Sequence, residues 1–145
     1  MSKRFHVEQD ISAPAERVWQ LLTDGPNYPS WNPAVLELDG TIAVGQRISL
    51  VSIVNPKRTF KLNVVEVSAP TSASPSGRMV WSDGMPLGLF TGARTYLVDE
   101  RDGVTTFSMT EEYTGLLAGL ITKSIPDMSD SFVQFAAGLK AAAEA

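Results

Sequence analysis

Residues 11–33 read ISAPAERVWQLLTDGPNYPSWNP, and the reading of this stretch decides the fold. Pro14 suits the first turn of a helix, where its missing N–H costs nothing. Glu16 sits near the positive end of the helix dipole. Ala15, Val18, Trp19 and Leu22 fall at i, i+3, i+4 and i+7, which makes one apolar face. Asp24-Gly25-Pro26 stops the helix. The segment 26–33, PNYPSWNP, is too rich in proline for more than a turn or two of helix. An amphipathic helix therefore runs into a turn holding two large rings, Tyr28 and Trp31. What those rings close over is the question the rest of the chain has to answer.

On either side of this stretch the period changes to two. Upstream, residues 4–11, RFHVEQDI, alternate: Phe5, Val7 and Ile11 share one parity, Arg4, His6, Glu8 and Asp10 the other. That is a strand with one buried face. Downstream, strands are expected at 35–39, 46–54, 59–67, 78–83, 91–99 and 104–113. Asn55-Pro56-Lys57-Arg58 and Glu100-Arg101-Asp102-Gly103 read as tight turns between them. Residues 68–77, SAPTSASPSG, read as a polar loop. The C-terminus turns helical again. Met128, Phe132, Phe135 and Leu139 occupy i, i+4, i+7 and i+11, one stripe of a long helix. Pro126 separates it from the apolar lead-in Leu116 to Ile125, whose Gly115–Gly119 spacing reads as a turn entering the helix. The order strand, helix, antiparallel strands, long helix defines an α+β arrangement with helices gathered on one face of the sheet.

Composition narrows the function. The 145 residues suit one domain with a real core, and they are 43% hydrophobic and 19% charged. A formal net charge of −4 and a sequence pI near 4.9 speak against a nucleic-acid partner, whose footprint is basic and clustered. No run approaches the roughly 18 apolar residues of a membrane span, and MSKRFHVEQD has neither an apolar h-region nor a cleavage site. A cytoplasmic location is expected. Cysteine is absent and there is one histidine, His6. Disulfides, thiolate nucleophiles and a Ser-His-Asp triad are thereby removed, and no metal or cofactor is expected. His6 lies opposite Phe5 and Val7 in parity, so it is expected at an exposed or edge position. No GxGxxG or P-loop pattern occurs.

The order of elements, with APAERVWQLLTD after the first strand and then Tyr28, Trp31, Asn32 and Pro33, resembles the START/Bet v 1-like (SRPBCC) superfamily. GARTYLV, GVTTFSMTEEYTGLL and the terminal helix are similar to its polyketide cyclase/dehydrase-like branch. The resemblance covers nearly the whole chain. It implies a helix-grip fold: a curved antiparallel sheet of about six or seven strands wrapped around a long C-terminal helix, with one or two short helices after the first strand. It also implies a deep apolar cavity between sheet and helix. It implies no single activity.

Strand parity and the resemblance together nominate the inner face. In 104–113, Phe107, Met109, Glu111 and Tyr113 share the apolar parity. The family pattern turns Arg94 and Tyr96 inward, and Met79 and Trp81 likewise. With Trp31, Phe90, Met128, Phe132 and Phe135, these form the expected ligand-binding lining. The competing reading is a solid core, since apolar stripes usually mean core. Arg94 and Glu111 are the two charged residues on this inner face. An unpaired charge there is costly, so a mutual contact at the cavity wall is expected, the alternatives being one or both at a solvated mouth or a strand parity shifted by one. The apolar loop 83–92, DGMPLGLFTG, reads either as a gate or as a hairpin tip folded onto the core.

Three functions follow. The first is a carrier or sensor of a small hydrophobic molecule such as a lipid, polyketide or aromatic. The second is a polyketide cyclase/dehydrase-type enzyme in which Glu111, Arg94, Tyr96 or Tyr113 moves a proton or polarises a carbonyl. The third is a protein-interaction adaptor. Monomer and homodimer are both open.

Overall fold

The computed structural model describes residues 3–145. Its seven strands are β1 (Lys3–Ile11), β2 (Val35–Asp39), β3 (Arg47–Ser52), β4 (Phe60–Ser68), β5 (Ser76–Met85), β6 (Phe90–Arg101) and β7 (Val104–Thr114). All neighbours are antiparallel, in the order β1-β7-β6-β5-β4-β3-β2. The chain thus runs β2 to β7 as a meander, and β1 closes on β7. Register shifts in β2 between Val35 and Glu37 and in β4 between Val64 and Glu66 bend the strands and curl the sheet. Every expected strand is present, with ends moved by a residue or two.

Helix α1 (Ala15–Thr23) buries Ala15, Val18, Trp19 and Leu22, the expected face. Its first amide, Ala15 N, donates to Glu100 Oε1 at 2.8 Å, so a carboxylate from the β6–β7 hairpin satisfies an end that Pro14 cannot cap. A 3-10 turn (Gly25–Asn27) and a four-residue helix, α2 (Tyr28–Trp31), follow. The lead-in forms a short helix α3 (Ala118–Ile121) and a 3-10 turn (Thr122–Ser124). The long helix α4 (Ser129–Glu144) lies across the concave face and buries Phe132, Phe135 and Leu139. The helix-grip architecture is as expected.

The interior between sheet and α4 is filled with rings. Phe135 lies 5.8 to 6.0 Å, centroid to centroid, from Trp31, Tyr28, Tyr96 and Phe107. The Tyr28 hydroxyl donates to Leu22 O at 2.5 Å, which ties α2 back to α1. Gly138 on α4 lets this turn approach: a Cβ there would stand 2.5 Å from Trp31 O. The void left between Met109, Phe132 and Phe135 measures about 10 Å³, no more than one water needs. The turn 26–33 therefore closes over Phe135 and its neighbouring rings.

Candidate functional site

Cross-strand register sorts the inner face into rows, and the rows locate the open space. Arg94 on β6 stands opposite Trp81 on β5 and Glu111 on β7. One row toward α4's C-terminal half, Tyr96 stands between Met79 and Met109, and all three are fully buried. One row the other way, Gly92 stands between Asp83 and Tyr113. The interior is solid from the Tyr96 row inward. From the Arg94 row outward, it opens into a cavity of about 260 Å³. The cavity is bounded by β3, β4, β5, β6 and β7 and, opposite them, by the 121–128 segment.

Six of the twelve expected lining residues border this cavity: Trp81, Phe90, Arg94, Glu111, Tyr113 and Met128. The other six do not border it, which corrects the expected lining: Met79, Tyr96, Met109, Phe132 and Phe135 are buried in the filled interior, and Trp31 is half-buried against it. Alternation along a strand separates inside from outside, but it carries no information on depth. The cavity walls also include residues that the sequence reading missed, notably Phe60, Leu62, Ile121 and Ile125. Phe60, Leu62 and Val64 alternate along β4, a signal that was present in the sequence. Ile121 and Ile125 lie in irregular structure, where no period exists to read.

Two side chains of the cavity wall, Arg94 and Tyr113, converge on one carboxylate, Glu111. Arg94 Nη2 donates to Glu111 Oε2 at 3.2 Å, and Tyr113 Oη donates to the same oxygen at 2.8 Å. The side chains of Arg94 and Glu111 are 10% and 14% exposed, so this is a pair at the wall and not a solvated one at a mouth. Glu111 Oε1 accepts no hydrogen bond among the described residues, although Glu111 borders the cavity. Burial opposes the charge on Arg94, but the Glu111 carboxylate and the Tyr96 phenol outweigh it and hold the guanidinium charged. Burial, and next the Glu111 charge, push the Tyr113 phenol well up, so it stays a hydrogen-bond donor. Burial does the same to Tyr96, against the pull of Arg94. The Tyr96 hydroxyl feels that guanidinium, yet neither it nor Arg94 Nε nor Trp81 Nε1 meets a partner in hydrogen-bonding geometry.

Phe90 and Tyr113 form the outer wall, stacked at 6.0 Å with 13° between planes. Gly92 makes room for them: a Cβ there would touch the Tyr113 ring at 3.3 Å. The loop between β5 and β6 is shorter than expected, because β5 runs to Met85 and β6 starts at Phe90. The tip is a tight turn that projects from the core. His6 is at the exposed sheet face, its Nδ1 2.7 Å from Thr110 Oγ1, as its parity implies. Among the described residues no group of three metal-ligating side chains occurs, and no helix is long and apolar enough to cross a membrane.

With fold and site in view, the sequence comparison identifies the class. The chain belongs to the polyketide cyclase / dehydrase and lipid transport family, whose model matches residues 2–144, within the SRPBCC superfamily. No curated protein sequence matches it. Among solved structures it is similar to an aromatase/cyclase from a Streptomyces species, at TM-score 0.71 and 13% identity over 99% of this chain and 94% of that one. It is also similar to norcoclaurine synthase from Thalictrum flavum, at TM-score 0.66 and 16% identity over 97% and 92%. A hypothetical protein from Helicobacter pylori gives TM-score 0.70 and 16% identity over 98% and 86%. At these identities the likenesses establish the fold.

Proposed function

We propose that this protein binds a small, largely apolar molecule in the cavity at the open end of the grip, with Glu111 as its polar anchor. The observation that carries this reading is a 260 Å³ cavity in whose wall Glu111 spends a single oxygen on Arg94 and Tyr113. The free oxygen suits a ligand hydroxyl or N–H. An acceptor oxygen on the same ligand would suit the guanidinium of Arg94. The volume sets the size. A cavity of about 150 Å³ takes benzene, so this one holds a substituted ring or two fused rings and is too small to enclose a sterol or a four-ring polyketide. Apolar walls with a few placed polar groups are the usual make-up of a small-molecule site.

A second reading rests on the same cluster. A carboxylate oriented by a guanidinium and a phenol, with one oxygen free at the cavity wall, is suited to move a proton on a bound carbonyl compound. This would make the protein an enzyme of the cyclase/dehydrase kind, with Glu111 in the acid/base role. The family description and the aromatase/cyclase likeness favour it equally with carriage.

The experiment is a thermal-shift and tryptophan-fluorescence screen with one- and two-ring hydroxyaryl ketones and aldehydes, alongside fatty acids, sterols and four-ring polyketides. A ligand of the folded state raises the melting temperature by mass action. The small hydroxyaryl compounds should raise it, Glu111→Gln should reduce the response, and the larger molecules should do nothing. If no small compound shifts the wild-type protein, the reading fails. Turnover of a binding compound that is lost in Glu111→Gln while binding persists selects the enzyme.

A further inference from the structure

The three most exposed large apolar side chains among the described residues are Leu87 (93%), Leu116 (85%) and Leu120 (67%). They lie in one place. Leu116 N donates to Gly88 O at 3.3 Å and Leu117 N to Leu89 O at 2.8 Å, so the β5–β6 turn and the start of α3 form one protruding tip, with Met85 also exposed on it.

The backbone at the tip singles out Leu87. Leu87 and Gly88 have φ of +62° and +69°, and Leu89 N closes the turn on Pro86 O. Positive φ at both central residues is the requirement of a type I′ turn, which asks for Asn-Gly or Asp-Gly. The β6–β7 hairpin meets it in the ordinary way, with Asp102-Gly103 at +53° and +81°. At the β5–β6 turn the chain instead places a bulky apolar residue in the left-handed region, fully in solvent. Neither packing nor backbone preference accounts for it.

The segments beside the tip carry charge of one sign. The three segments that surround the cavity mouth, 53–61, 84–92 and 115–126, contain Lys57, Arg58, Lys61 and Lys123 and no acidic residue. All four cations are exposed. Asp83, itself at the cavity wall, and Asp127 stand just beyond the ends of these segments, so the cations outnumber the nearby acids four to two. In a chain of net charge −4, these three segments carry cations and no acid. Lys3 Nζ adds to them, reaching Thr122 O and Ile125 O at 3.5 and 3.4 Å.

We infer that this end docks on an anionic lipid surface: Leu87, Leu116 and Leu120 enter the interface while Lys57, Arg58, Lys61 and Lys123 meet lipid phosphates. A narrow apolar tip ringed by cations matches a headgroup layer, which admits apolar side chains and attracts basic ones. The docked face is the cavity mouth, so an apolar molecule would pass between bilayer and cavity without crossing water.

The test is flotation with vesicles of phosphatidylcholine alone and of equal parts phosphatidylcholine and phosphatidylglycerol. The protein should float with the anionic vesicles at least about tenfold more tightly than with the neutral ones, and high salt should release it. The double variant Leu87→Asn/Leu116→Ser should lose about tenfold or more in binding, with a melting temperature equal to or above wild type, because Asn suits the turn better. Lys57→Gln/Lys123→Gln should weaken anionic binding about tenfold and flatten the salt dependence. Failure to float with anionic vesicles overturns the inference, as does flotation that the leucine variant leaves unchanged. A dimer in sedimentation equilibrium that this variant abolishes, without flotation, reassigns the tip to self-association.

Discussion

The Arg94 guanidinium lies 5.0 Å from the ring centroid of Phe132 while its Nη2 holds Glu111. One residue thus touches both the filled interior and the cavity. Its charge is compensated from two directions, by a carboxylate and by a ring face. Removing Glu111 alone leaves that charge buried and unpaired, and removing Arg94 alone does the same to the carboxylate. Arg94→Met and Glu111→Leu should each cost about 3–5 kcal/mol, and the double variant markedly less than their sum. Urea unfolding of the four proteins measures this. Strict additivity would show that the pair is not coupled.

All three tyrosines of the chain, Tyr28, Tyr96 and Tyr113, have phenols pushed up, burial being the leading cause in each. A phenol raised in the folded state keeps its proton where the unfolded chain has lost it. The unfolded state then binds fewer protons, and stability falls as pH climbs past the ordinary phenol value of about 10. Below that value the contribution is intact. Tyrosinate absorbance and circular dichroism, followed together, should change in one concerted alkaline step. A tyrosine that ionises near its ordinary pH while the circular dichroism is still native would contradict the burial described.

Phe135 packs against four rings. Phe135→Ala should cost about 3–5 kcal/mol by denaturant unfolding. It should also extend the open space into the interior, so that the truncated protein accepts multi-ring compounds which the wild type refuses. Loss of stability without any change in the ligand size accepted would show that the surrounding rings collapse into the gap.

Gly138 sits inside α4, where alanine ordinarily improves a helix by up to about 1 kcal/mol. Here a Cβ would stand 2.5 Å from Trp31 O and 2.7 Å from Pro33 Cδ. The first of these is backbone and cannot swing away. Gly138→Ala should therefore lower the melting temperature, with Trp31 fluorescence reporting displacement of α2. A rise would show that the turn moves freely off the helix.

The fold was legible because its signals are periodic. Alternation in 4–11 and 104–113 and the Met128–Leu139 stripe each express one buried face, and chain order did the rest. The Arg94–Glu111 contact was legible because two charges of one parity on adjacent strands must find each other. The depth of the cavity was not. Trp81 and Met79 are two residues apart with the same parity, yet Trp81 borders the open space and Met79 does not. That boundary depends on how far Phe132 and Phe135 reach from α4, a property of three-dimensional volume that no single strand encodes. The protruding tip was equally hidden, since an apolar run in a hairpin reads as core until its exposure is known.

Because the aromatic filling stops at one cross-strand row, the work of staying folded and the work of choosing a guest fall on different ends of the same strands. Substitutions around Phe60, Gly92 and Ile125 can alter what is accepted while the Phe135 assembly keeps the molecule upright. Such a division leaves the entrance free to diversify without each new preference threatening the scaffold.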